Sequence, residues 1–408
     1  MRIKTLLPAF VFLTLTCSTF AQKVVFVIAD GIPADVIERS PSPNIRAIMA
    51  QGSYTRCNVG GDKGTYNESP TISAVGYNSV LTGTWANKHN VWDNSIKAPN
   101  YHYKNILRIL KEQQPGKKIA VFSSWLDNRT KLVGDGLTEA GSIKVDIHAD
   151  GYELDTLTFP HDKEKRYMHL IDDHVVTQAS NSIKADAPDL SWVYLEYTDD
   201  MGHAHGDSPQ MDEAVKFLDV QMGELWKAIQ FRQQKYKEKW MIVITTDHGR
   251  SEKDGRDHGG QSPRQKNGWI ATNVKLNNYA NYYQPAVVDI MPTIARFMRI
   301  DIPVETVREC DGTPLIGPVS LTPPNVNYFQ NKLDVSWKSL DTNGTVKIWV
   351  STTNHFREGG KDNYIVLAEA PVKNKHVVID VSGITSPFYK VVLEGRNNTT
   401  NAWIKINR

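Results

Sequence analysis

The stretch TTDHGRSEKDGRDHGG, residues 245–260, places Asp247, His248, Asp257 and His258 in one short polar run directly after the apolar MIVI. Carboxylates and imidazoles gathered this closely are the donor types of a divalent cation site, zinc in particular. A second grouping, DDMGHAHG at 199–206, sets Asp199 and His203 four residues apart. Asp30 closes the apolar run KVVFVIAD. Taken singly, each of these is an ordinary turn or capping residue, because Asp fills such roles in every fold. Asp247 and His248 would diverge on an extended backbone, so a bend, or service to two different metals, must reconcile them. Glycines at 259 and 260 allow a tight loop beside His258. Asp200, His205 and Asp257 are expected to support the cluster or to lie at the surface.

The elements that must position these groups are readable from periodicity. KVVFVIAD (23–30), KKIAVFS (117–123), LSWVYLEYTD (190–199) and KWMIVITTD (239–247) are apolar runs of strand length, each ending in a polar cluster. Between them, YKNILRILKEQQ (103–114) and MDEAVKFLDVQMGELWKAIQ (211–230) repeat apolar residues at helical spacing. Strands apolar on both faces and alternating with amphipathic helices predict an α/β fold, a mostly parallel central sheet sandwiched by helices. Such folds bind ligands beyond the carboxyl ends of their strands. Asp30, Asp199 and Asp247 are expected at three such ends, which favours a metal cluster over separate turns.

At this point the chain resembles the alkaline phosphatase superfamily, and within it the nucleotide pyrophosphatase/phosphodiesterase branch, over roughly residues 23 to 300. VIADG is similar to the first-strand motif, EYTDDMGHAHG to the Asp-x-x-x-His motif, and TTDHG and DHGG to the later motifs. DIMPTIARFM is similar to a helix near the end of the catalytic domain. The resemblance implies two zinc ions, one held by Asp30, Asp247 and His248 and the other by Asp199, His203 and His258. The family's nucleophile lies nine positions before a Thr-Gly pair, and in SAVGYNSVLTG that position is Ser73, which would also touch the first zinc. The branch usually carries Thr there, whereas alkaline phosphatases carry Ser, so the departure bears on the subfamily more than on the chemistry. Thr71 is the competing hydroxyl. The plain reading of Ser73 is a helix N-cap, which is compatible with catalysis because a helix start attracts phosphate. Asn94, 21 residues after Ser73, matches the spacing of the branch's phosphate-oxygen-binding Asn.

The implied reaction is hydrolysis of a small phosphate ester, possible nucleotides included, through a phosphoserine on Ser73. Asn94 and the amide at the helix start would donate to non-bridging oxygens. A phosphodiesterase or pyrophosphatase is the first reading and a phosphomonoesterase the alternative. For the latter, Arg129 and Lys131 in SSWLDNRTKL are candidate partners of the extra monoester charge. Trp125 in the same stretch is a candidate for stacking on a nucleobase. A secreted binding protein built on an inactive domain is a third reading, opposed by the full ligand set. The context around position 73 does not suit a sulfatase, and the ligand spacing does not suit a manganese mutase.

The bulk properties bound these readings. At 408 residues the chain exceeds one ordinary core, so a large and a small unit are expected. The 47 basic and 45 acidic residues leave a net charge of +2, too balanced to indicate nucleic acid or an anionic membrane as partner. MRIKTLLPAFVFLTLTCSTFAQ has the pattern of a secretory signal peptide, 1–21, cleaved after Ala21, and its apolar core is too short to span a membrane. A secreted or periplasmic location follows, with lipid attachment at Cys17 as a lesser alternative. Cleavage leaves Cys57 and Cys310, whose pairing the spacing leaves open. Residues 22–320 are read as the catalytic domain. After the Pro-rich GPVSLTPPNV, residues 321–408 carry short strands such as LDVSW, TVKIWVS and YKVVLEG, read as a fibronectin type III-like β-sandwich. No chemical cluster occurs there, so it is expected to be accessory.

Overall fold

The computed structural model describes residues 22–406. The expected signal peptide, its cleavage site and Cys17 lie outside the described residues.

The chain builds an α/β core around a seven-stranded sheet: β1 (Gln22–Ala29), β2 (Ser53–Asn58), β3 (Ile119–Ser123), β4 (Ile147–Ala149), β5 (Leu190–Leu195), β6 (Lys239–Thr245) and β7 (Asn267–Thr272). Their order across the sheet is β2-β7-β6-β1-β5-β3-β4. The run from β6 to β4 is parallel, and β7 enters antiparallel between β6 and β2. The sheet is therefore mixed and mostly parallel. β2 (SYTRCN), β4 (IHA) and β7 (NGWIAT) carry too few consecutive apolar residues to be read as hydrophobic runs. The central strands are buried along their length because helices cover both faces, leaving two apolar cores. One core contains Val24, Phe26 and Ile28 and the other Val25, Val27 and Ala29, the alternation a strand imposes.

The sheet's order places the chemistry. β6, β1 and β5 are neighbours, with Ile28 paired to Thr245 and Ala29 paired to Leu195. The residues that follow, Asp247, Asp30 and Asp199, therefore emerge side by side beyond the carboxyl ends of the central strands, where the chain runs from β1 to one half of the sheet and from β5 across β1 to β6. One expected position shifts. Asp199 is not at a strand end but in the first turn of the helix Tyr197–His205, because β5 stops at Leu195. Spacing of four then carries Asp199 and His203 on one helix face.

Beyond the α/β part lie β8 (Asn325–Phe329), β9 (Lys332–Ser336), β10 (Thr345–Ser351), β11 (Ile365–Pro371), β12 (His376–Asp380), β13 (Phe388–Glu394) and β14 (Thr399–Lys405). They form antiparallel sheets ordered β11-β10-β13-β14 and β12-β9-β8. Inward residues of both sheets, among them Val335, Ile348, Ile379 and Val391, share a core of their own that begins at Leu321. Cys57 and Cys310 are both buried free thiols, so the possible bridge does not form. Burial pushes Cys310 up to about 12, which leaves it an unreactive thiol at neutral pH.

Candidate metal centre

Ser73 is the first residue of the helix Ser73–Thr82, with Ile72 rather than Ser73 in the N-cap position. Every residue of this helix is buried. Its approach to the end of β6 requires Gly76: a Cβ there would lie 2.6 Å from the Asp247 carbonyl oxygen. Ser73 Oγ is thereby held 3.3 Å from His248 Nε2. The chain bends at Asp247, so the adjacent side chains converge instead of diverging: His248 Nε2 is 3.3 Å from Asp247 Oδ2 and 3.3 Å from Asp30 Oδ1.

On the other side of His248, His203 Nε2 lies 3.2 Å from Asp199 Oδ2 and 3.0 Å from His258 Nε2. The His248 and His258 rings stack with centroids 3.8 Å apart. His258 Nδ1 donates to the Thr71 carbonyl at 2.9 Å, and His248 Nδ1 to the Gly249 carbonyl at 3.0 Å. Each ring is thus fixed with its Nε2 lone pair turned to the cluster, the arrangement of a ligating imidazole. Two sets of donor atoms lie mutually within 4.8 Å: Asp199, His203 and His258, and Asp30, Asp199 and His248. Asp199 is common to both, so it stands between the two halves of the cluster.

The donors fit a cation. Asp30 Oδ1 and Asp247 Oδ2 are buried without a hydrogen-bond partner among the described residues, an arrangement too costly to leave uncompensated. Burial and the nearby Asp30 carboxylate push Asp247 well above the usual carboxylate range. Burial pulls His248 down, but Asp247, Asp30 and Asp199 outweigh it and raise it to about 9. Burial and the neighbouring His248 press His258 down to about 4. Positive charge is what this pocket calls for.

The remaining expected residues divide. Asn94 reaches the helix start, where its Oδ1 accepts from the Ala74 amide at 3.0 Å. That hydrogen bond engages the Ala74 amide and seats the Asn94 side chain at the helix start beside Ser73. Thr71 spends its hydroxyl on the 259–260 turn, donating to the Gly260 carbonyl at 2.7 Å and accepting from the Gly259 amide at 3.0 Å. Trp125 stands edge-on to Tyr77, ring centroids 6.4 Å apart. Arg129 is not a free cation: it grips Asp150 with Nε and Nη2 at 2.6 and 2.9 Å and Asp135 with Nη1 at 2.6 Å. Lys131 pairs with Asp127 at 2.7 Å. Neither is paired with a residue of the cluster: Asp127 and Asp135 nearby in the chain, and Asp150 just after β4, take them. Asp200 pairs with Lys165 at 3.3 Å, and Asp257 is exposed.

Three residues of this site escaped the motif reading. Arg250 is 1% exposed and pairs with Asp199 through Nη2 and Oδ1. Burial would raise Asp199, but Arg250 and the His203 hydrogen bond outweigh it and hold the carboxyl below its usual range. Tyr77 and Tyr194 both donate to Asp30 Oδ2, Tyr194 at 2.8 Å. Arg250, a lone cation directly behind TTDHG, was a visible signal; apolar runs hid the tyrosines among core residues.

With this geometry established, comparison with known proteins adds lineage. The family model described as type I phosphodiesterase / nucleotide pyrophosphatase matches residues 24–288. Human ectonucleotide pyrophosphatase/phosphodiesterase family member 5 is 25% identical over 264 residues, 61% of this chain and 50% of that protein. An uncharacterized pyrophosphatase/phosphodiesterase of Schizosaccharomyces pombe is 21% identical over 241 residues, 57% of this chain and 45% of that protein. The chain thus spans about half the length of these curated relatives. A crystal structure of Ps i-CgsB in complex with k-i-k-neocarrahexaose is similar in fold, with a TM-score of 0.51 at 13% identity, covering 78% of this chain and 82% of that one.

Proposed function

The chain belongs to the type I phosphodiesterase/nucleotide pyrophosphatase family, and from that premise we propose that it hydrolyses phosphodiester or pyrophosphate bonds of small substrates through Ser73. The observation that carries this reading is the convergence of three carboxylates and three imidazoles beside one buried serine at a helix start. Asp30, Asp247 and His248 would hold one divalent cation and Asp199, His203 and His258 a second, and this nitrogen and oxygen donor set suits zinc. When bound, such a pair supplies positive charge that favours the alkoxide and neutralises oxygens around phosphorus.

The chain's own residues account for the rest. Ser73 Oγ forms a bond to phosphorus as the bond to the leaving oxygen breaks, and the leaving group departs with a proton. Water then cleaves the phosphoserine and restores the hydroxyl, so configuration at phosphorus is retained overall. The helix Ser73–Thr82 points its amino end at the phosphoryl group, and its dipole favours the negative charge there. Asn94, with Oδ1 fixed by the Ala74 amide, presents Nδ2 to a non-bridging oxygen. Trp125, edge-on to Tyr77, would offer a surface for a base or other aromatic leaving group. The cations on which a monoesterase reading drew, Arg129 and Lys131, already hold carboxylates, which favours the diesterase reading.

Export to the periplasm or exterior, resting on the 1–21 pattern, belongs to the same proposal, as does fibronectin type III character for residues 321–408. No helix among the described residues is long and apolar enough to cross a membrane. The test is paired turnover of bis(p-nitrophenyl) phosphate and p-nitrophenyl phosphate by metal-analysed protein. The diester should be preferred and chelation should abolish turnover; a preference for the monoester, or no turnover with two metals bound, would sink the reading.

A further inference from the structure

The three site carboxylates share a pattern. In each, one oxygen is taken by a donor of the protein and the other is left to the cluster. Asp30 Oδ2 accepts from the Tyr77 and Tyr194 phenols, while its Oδ1 has no hydrogen-bond partner among the described residues and faces His248 Nε2 at 3.3 Å. Asp247 Oδ1 accepts from the Gly31 amide at 3.1 Å, while its Oδ2 has no hydrogen-bond partner among the described residues and faces His248 Nε2 at 3.3 Å. Asp199 Oδ1 accepts from Arg250 although it also lies 3.9 Å from His248 Nε2 and from His258 Nε2, while its Oδ2 faces His203 at 3.2 Å with no protein donor on it but that ring.

The donors are built in with care. Tyr77 and Tyr194 are buried, and their hydroxyls are 2.8 Å apart. Besides Asp199 Oδ1, the Arg250 guanidinium donates to the Asp199 carbonyl at 2.8 Å, the Gly31 carbonyl at 2.9 Å and the Arg256 carbonyl at 2.9 Å. It therefore ties together the segments leaving β1, β5 and β6. Room for it exists because residue 202 is Gly: a Cβ there would lie 2.0 Å from Arg250 Cζ.

We propose that Tyr77, Tyr194 and Arg250 are positioning residues that restrict Asp30 and Asp199 to one ligating oxygen each, keeping the bound cations at low coordination number with a position open for substrate. This rests on the metal-centre reading above. A carboxylate oxygen already accepting a strong hydrogen bond is a poor second ligand, so bidentate binding is suppressed. Fewer protein oxygens on each cation leave vacant positions, the property that separates a catalytic from a structural site.

The test uses the full chain loaded with cobalt(II) or zinc. Cobalt(II) d–d bands are intense at four-coordinate sites and weaken as coordination number rises. Tyr77→Phe with Tyr194→Phe should weaken those bands, and each single variant should fall between it and wild type. Arg250→Met frees Asp199 Oδ1 to ligate and should likewise weaken the bands, with a change in affinity for one metal equivalent in chelator competition. Arg250→Lys should recover part of that loss. Should the double tyrosine variant fail to fold, the single variants and Arg250→Lys carry the same readouts. Wild-type spectra and affinities in the variants, whatever their melting temperatures, would overturn the proposal while leaving the metal centre intact. A wild-type protein that binds no metal would overturn both.

Discussion

At the scale of residues, the centre depends on where protons and lone pairs sit. Ser73→Ala removes the proposed attacking oxygen yet leaves every carboxylate and imidazole in place. It should cut kcat by more than about a thousandfold without loss of bound metal. Steady-state kinetics beside metal analysis would check this, and a variant that kept activity would move the nucleophile elsewhere. The raised value of His248, about 9 in the metal-free protein, makes a second prediction. Below that pH the ring carries a proton that an entering cation must displace, whereas His258, held near 4, carries none. Metal affinity should therefore fall by about tenfold or more for each pH unit below 9. Competition titrations at three pH values between 6.5 and 8.5 would measure the slope; a flat profile would mean that no proton leaves His248 when metal enters.

At the scale of elements, the chemistry is held by close approaches between backbone segments. The helix Ser73–Thr82 can lie against the β6 end only while position 76 lacks a side chain. Gly76→Ala should push helix and strand apart, at a cost of about 1–3 kcal/mol for overpacking. Both the melting temperature and the metal content should fall; an unchanged metal content would show that the loop absorbs the added methyl. The helix Tyr197–His205 illustrates the limit of reading runs of residues. LSWVYLEYTD looks like one strand, but the chain turns helical after Leu195, and it is the helix that aligns Asp199 with His203.

At the scale of the molecule, the two parts of the chain meet through buried charge. Lys390 on β13 is fully buried, paired with Glu309 at 2.8 Å and Asp362 at 2.6 Å. Lys88, also fully buried, pairs with Asp311 at 2.6 Å and donates to Asn401 of β14 at 3.0 Å. Trp403 stacks on Tyr66, in the loop that leads to Ser73. Lys390→Met would leave Glu309 and Asp362 buried without their cation, and breaking such a pair costs about 3–5 kcal/mol. Urea unfolding should register that loss; a change under about 1 kcal/mol would show that solvent reaches the pair. By itself the sequence determined the class of fold and the residues that offer candidate donor atoms, because hydrophobic period and residue chemistry are local properties. Asp30, Asp199, His203, Asp247, His248 and His258 could all be named from short motifs. Only the tertiary structure decided which atoms meet. The order of β6, β1 and β5, the bend at Asp247, the phenols on Asp30 and the guanidinium on Asp199 join residues far apart along the chain, as does the engagement of Arg129 by Asp150. Distance along a chain carries no information about such meetings, since packing of the whole sheet and its helices sets them.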